Sequence, residues 1–185
     1  MTAVIIILVI IVVAVLFFVF AYNGVVRLRN RVESAWSQIS VQLQRRHDLI
    51  PNLIETVKGY AAHERQTLEA VVAARTGAVA AQQSGPEAQA QAENVLTGAL
   101  RQLFALSESY PDLKANQNFL SLQEELTATE DRVAYARQFY NDSVQKYNTK
   151  IQTFPTVIIA GMFNFTKREF FEAEQGSTEV PKVQF

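Results

Sequence analysis

The residues able to do chemistry are few and scattered. His63-Glu64 begins a sequence like the HExxH of zinc hydrolases, where two histidines hold the metal and the glutamate acts as base. Here the fifth residue is Thr67, so one ligand is missing and no metal site is expected. The other histidine, His47, lies in a charged stretch with no evident ligand partner. Carboxylate-bridged metals in helical bundles need Glu-x-x-His pairs, and none occurs. The chain has no cysteine, which removes disulfides, thiolate zinc and a cysteine nucleophile. It has no G-x-S-x-G elbow and no dinucleotide fingerprint, and 7 glycines leave little material for phosphate-cradling loops. Ser34, Ser37 and Ser40 recur every third residue, which suits close helix approach or solvation better than catalysis. No catalytic residue, metal or cofactor is expected, and the chain reads as non-enzymatic.

The densest polar cluster is Arg45, Arg46, Asp48 and Asn52, inside the stretch RRHDLIPNL. It suits a hydrogen-bonded helix junction or a polar interface for another protein. Pro51 has no amide proton and crowds the preceding turn, so a helix must kink or start afresh near it. Asp48, three residues earlier, is a competent N-cap for such a start. A break at Gly59-Tyr60 is the other choice, and the sequence does not decide between them.

These residues must be positioned by helices, and the first begins in an apolar segment. Ala3 to Ala21 is an unbroken run of Ala, Val, Ile, Leu and Phe. As a helix it rises ~28 Å, about the thickness of a hydrocarbon core. A cleaved leader would have a charged start and a shorter apolar region; residues 1–22 are therefore read as a transmembrane anchor. Arg27, Arg29 and Arg31 follow at once, which places the N-terminus outside and the rest in the cytoplasm. With 17 basic against 18 acidic residues there is no one-signed surface for nucleic acid.

Beyond the anchor, Val25, Leu28, Val32, Ala35 and Ile39 mark one buried face of a helix, with Trp36 beside it. A second helix reaches about Ala81, and Gln82 to Pro86 forms a loop. A third covers Glu87 to Leu106. The fourth is predicted over 112–153, with Phe119, Leu122, Leu126, Val133, Ala136, Tyr140, Val144, Tyr147, Ile151 and Phe154 at heptad-like spacing, interrupted only by Thr129. The expected fold is thus all-α: a transmembrane helix continuing into an antiparallel bundle of about four long helices over 23–153. Residues 154–185 follow as a docked, aromatic-rich tail containing Phe163, Phe165, Phe170, Phe171 and Phe185. Phe163 and Phe165 are candidate interaction residues, and the closing PKVQF reads as extended.

The stretches YNGVVRLRNRVESAWSQISVQLQRRHDLIPNLIETVKGYAAHE and AYARQFYNDSVQKYN, and the FP that opens the tail, resemble the LemA family of bacterial membrane proteins. The resemblance runs from about Tyr22 to the C-terminus. It implies an inner-membrane helix with the N-terminus out, a cytoplasmic helical domain, and partnership with envelope proteins such as membrane metalloproteases. It brings no active-site residues. The expected function is a membrane-anchored scaffold or adaptor that self-associates and works with other membrane proteins. The alternative is a membrane-remodelling or lipid-interface module acting through the aromatic tail on the bilayer.

Overall fold

The computed structural model describes residues 1–172, and among these every regular element is helical. In chain order they are α1 (Thr2–Lys58), α2 (Arg65–Ala81), α3 (Pro86–Ser107), α4 (Pro111–Lys114), α5 (Gln117–Gln152) and α6 (Thr156–Met162). The chain divides into two compact units. Among the described residues, one comprises 1–39 and 136–168, the other 40–135 and 169–172. Phe185 and the PKVQF end lie outside the described residues.

No helix starts at Asp48. α1 is one 57-residue helix with Pro51 inside it, and the break comes at Gly59. The buried stripe explains the continuity: Val25, Val32, Ala35, Ile39, Leu43, Ile50, Leu53 and Val57 keep three- and four-residue spacing across the proline. Pro51 cannot donate to the carbonyl of His47, one turn back. That carbonyl instead accepts the Nε of Arg75 on α2 at 2.7 Å, so the cost of the missing amide is offset from outside the helix. Asp48 caps nothing; its exposed carboxylate accepts from the Gln44 amide at 2.8 Å, within the same helix.

In the second unit, α2 buries Leu68, Val71, Ala74 and Ala78. α3 buries Leu96, Leu100 and Leu103, in one core with Leu53, Leu113, Phe119 and Leu126. Gly85, immediately before α3, has φ of 98°, a backbone state that disfavours a side chain, and Pro86 then opens the helix. The long helix starts later than position 112. The Asn116 Oδ1 accepts the Phe119 amide at 3.0 Å, capping α5, and the short α4 stands apart before it. Thr129 does not interrupt the α5 stripe: it is fully buried, and its hydroxyl donates to the Glu125 carbonyl at 2.7 Å.

In the first unit, Trp36 of α1 meets Tyr140 of α5 with centroids 5.4 Å apart, and Arg31 lies over the Phe139 ring. The opening of α1 has no such cover, and its large side chains from Val4 to Phe20 are nearly all exposed. That stretch is long and apolar enough to cross a membrane.

Two expectations follow. Arg75→Ala should cost about 1–3 kcal/mol, because the His47 carbonyl is then buried without a donor. In a Pro51→Ala background the restored amide fills that carbonyl, so the same change should cost much less; equal costs in the two backgrounds, by chemical denaturation, would refute the compensation. Asp48→Ala should shift stability by no more than about 0.5 kcal/mol, the size of an exposed pair within a helix, rather than by the loss of a cap.

Candidate functional site

The sequence cluster around Pro51 splits into an inner and an outer half. Arg45, Asp48 and Asn52 are exposed, and Arg45 reaches Glu125 of α5 at 3.5 Å. Arg46 and His47 fall on the buried stripe of α1 and are 3% and 0% exposed. They are brought together with residues the sequence reading did not single out: Glu93, Gln89 and Thr97 of α3, Arg75 of α2, Gln82 after it, and Glu130 of α5.

Glu93 is the centre. It is 4% exposed, and its two oxygens divide the work. Oε1 accepts from His47 Nε2 at 2.7 Å and from the Gln89 amide at 2.8 Å; Oε2 faces Arg46 at 3.4 Å. A carboxylate only accepts, so His47 Nε2 carries a proton toward it. His47 Nδ1 lies 3.4 Å from the amide of Gln82. The other end of the Arg46 guanidinium donates to Thr97 Oγ1 at 2.8 Å and pairs with Glu130 at 2.9 Å. The Gln89 amide also donates to the Ala78 carbonyl at 3.2 Å, which turns its oxygen away, without a partner among the described residues. With the Arg75 bond to the His47 carbonyl, the network joins α1, α2, α3 and α5. Most of its donors and acceptors are met within the network, the arrangement of a clasp between helices.

Glu93 had a signal in the sequence. Gln89, Glu93, Leu96, Leu100 and Leu103 form the buried stripe of α3, so a carboxylate stands at a core position opposite two cationic residue types at core positions of α1. The His63-Glu64 sequence builds nothing metal-like. His63 lies in the turn before α2, and the Glu64 carboxylate accepts the Tyr110 hydroxyl at 2.8 Å, a bond that raises the tyrosine pKa. Among the described residues no group of His, Asp and Glu could hold a metal ion.

Phe163 and Phe165 belong to the first unit. The Phe163 ring is 4.8 Å from Tyr22 and 6.0 Å from Phe18. Phe165 is 5.9 Å from Tyr22 and lies under the Arg29 guanidinium at 5.7 Å. Asn148 holds the chain just beyond: its side chain donates to the Arg168 carbonyl and accepts the Arg168 amide, both at 2.9 Å.

A helical fold whose long first helix opens in an apolar, largely exposed segment long enough to cross a membrane is that of a membrane-associated helical protein. The model of the LemA family matches residues 35–185, and the chain belongs to that family. It is 28% identical to Protein LemA of Metamycoplasma hominis, over 85% of this chain and 74% of that one. It is 26% identical to magnetosome proteins named MamQ from Paramagnetospirillum magneticum and Magnetospirillum gryphiswaldense, over 86% of this chain and 68% of each.

Removing Glu93 strands the donors of His47 and Gln89 and takes from Arg46 its buried carboxylate partner, leaving it the half-exposed Glu130. Glu93→Ala should cost about 3–5 kcal/mol, while Arg46→Met combined with Glu93→Leu should recover most of it. If thermal unfolding shows the double change to be as harmful as the sum of the singles, the clasp is not a compensated pair.

Proposed function

We propose that the protein is a non-enzymatic, membrane-anchored scaffold or adaptor of the bacterial inner membrane. Its N-terminus faces outward and its later helices face the cytoplasm. The observation that carries this is the clasp. The most specific stretch of the sequence, RRHDLIPNL, spends Arg46 and His47 on holding helices together, so function is left to the surfaces of a rigid helical frame. We take α2, α3 and the parts of α1 and α5 in the same unit as an antiparallel four-helix bundle, which the short connections after Lys58 and Ala81 support.

The surface we assign to self-association runs along α2 and α3. Ala70, Ala73 and Gly77 face Ala92, Val95 and Gly98 across an open groove of about 610 Å³. A Cβ added at Gly77 or Gly98 would meet nothing within 4 Å, and a mid-helix glycine costs about 1 kcal/mol against alanine. The internal packing of this chain therefore gives no reason for either glycine, whereas close approach by another helix does. Val95, 64% exposed, stands in that groove. Other envelope proteins are the remaining partners this reading admits. A lipid-interface role for the aromatic tail is the second reading, favoured by the Phe163 and Phe165 rings against Tyr22.

A photo-crosslinking residue at Val95, in the full chain in native membranes, should yield a product of twice the chain mass. A strictly monomeric protein in mild detergent, with no such product, would overturn self-association. A product with a different protein alone would leave the adaptor and remove the homo-oligomer.

A further inference from the structure

We propose that residues 151–166 form a re-entrant hairpin whose helix α6 lies within the bilayer and meets lipid acyl chains, entering and leaving on the face where α1 carries its arginines. The inference rests on the apolar opening of α1 being a span and is independent of the α2–α3 surface.

The sequence sets the limits. From Ile151 to Thr166 no residue carries a charge, and the stretch is bounded by Lys150 on one side and by Lys167 and Arg168 on the other. Crossing a bilayer takes ~20 residues of continuous helix, and α6 has only 7. A segment too short to cross, with basic residues at both ends, must return to the side it came from.

The contacts then grade with position along α1. Arg168 pairs with Glu33 at 3.1 Å, Phe165 lies under Arg29, and Phe163 packs on Tyr22 and Phe18. Pro155 and Ile158 share a groove of about 520 Å³ with Phe18, Phe17, Val13 and Ile10, all from the apolar run. Measured from Tyr22, Phe18 lies ~6 Å and Ile10 ~18 Å into that run. A helix lying in the interface sinks only ~5–10 Å, so the groove extends to depths such a helix does not reach. The outward side of the hairpin is apolar as well. Phe154, Ile158 and Met162 are 81%, 56% and 65% exposed, a surface continuous with the exposed face of the span.

Hydrocarbon also favours backbone groups that are paired internally, and several at the two ends of α6 are. The Gln152 side chain donates to the Asn148 carbonyl at the end of α5. After α6, Asn164 takes φ of 53°, its amide donates to the Gly161 carbonyl, and the Phe165 amide donates to the Ala160 carbonyl at 2.9 Å. That left-handed closure covers carbonyls a helix end otherwise leaves open. Irregular backbone is confined to the short turn at 153–155, where the Val157 amide donates to the Thr153 carbonyl at 2.9 Å, and to the stretch from Phe163 on, level with Tyr22 at the edge of the apolar run.

The chain has no cysteine, so single thiols report cleanly. Full-length Ile158→Cys, Met162→Cys, Arg168→Cys and Val12→Cys would be reconstituted in phosphatidylcholine–phosphatidylglycerol vesicles. Each would be labelled with a polarity-sensitive fluorophore and challenged with lipids brominated near the headgroup or at mid-chain. Labels at 158, 162 and the span control at 12 should be quenched by mid-chain bromine, and the label at 168 should not. Unlabelled Ile158→Cys should react at least about tenfold more slowly than Arg168→Cys with an impermeant maleimide, since one unit of thiol pKa elevation in an apolar site removes that much thiolate. A label at 158 quenched only from the headgroup region, or equal maleimide rates at 158 and 168, would overturn insertion. Protection at 158 without any quenching would show protein rather than lipid against α6 and would also overturn it. Loss of quenching at 12 would remove the span and the hairpin together, leaving the α2–α3 surface standing.

Discussion

Glu93 is a carboxylate withdrawn from water, and the four helices around it are held to the arrangement that compensates it. An ionised carboxylate in a protein interior costs several kcal/mol unless its lone pairs are met. Here the Arg46 guanidinium, the His47 ring and the Gln89 amide meet them, from two different helices. The same guanidinium that answers Glu93 reaches Glu130 on α5, and the residue next to it in α1 offers its carbonyl to Arg75 of α2. Sliding α1 by one turn against α3 would separate Arg46 and His47 from Glu93 and leave charges buried on both sides. An apolar core would be as stable but more forgiving of such a slip. What the polar core contributes is register.

Pro51 belongs to the same arrangement. A proline inside a helix normally costs ~3 kcal/mol or more, part of it for the carbonyl it orphans. Here the orphaned carbonyl is that of His47, whose ring already faces Glu93. The backbone and the side chain of one residue thus bind two different helices, and α1 continues past the proline with Leu53 and Val57 buried beyond it. The lost helical bond has become a tertiary one.

Much of this was legible in the sequence. The apolar opening, the loop at Gly85-Pro86 and the stripe from Phe119 to Ile151 needed only periodicity and punctuation. The continuity of α1 was harder to see, because its stripe passes through Arg46 and His47, and charged residues at core positions look like a surface junction until their partners are known. Their shared partner, Glu93, lies 46 and 47 residues away in an Ala- and Gln-rich stretch, and its core position shows only when the stripe of α3 is traced through Gln89 and Leu96. Asp48 beside Pro51 has the chemistry of a helix start, but capping requires free amides, and a continuous helix leaves none there. The start of α5 differs from position 112 for the opposite reason: Asp112 after Pro111 also suits a helix start and lies in the first turn of α4, whereas the cap of the long helix is Asn116.

In the first unit the contacts are graded along α1. Along α1 toward its N-terminus its partners change in kind: a carboxylate with Arg168 at Glu33, a guanidinium over a ring at Arg29, ring against ring at Tyr22 and Phe18, then aliphatic side chains alone. An exposed ion pair is worth at most about 1 kcal/mol in water, and a cation over an aromatic ring gains as water is withdrawn. A charge at the centre of a membrane helix costs about 2.5–3.5 kcal/mol on insertion scales. Each class of contact therefore appears where the polarity along a membrane normal would favour it. A helix bundle wholly in water has one dielectric outside along its entire length and no cause to sort its pairs this way. The ordering of side chains between Glu33 and Phe18 is thus an argument for a boundary near Tyr22, made by contacts rather than by hydropathy.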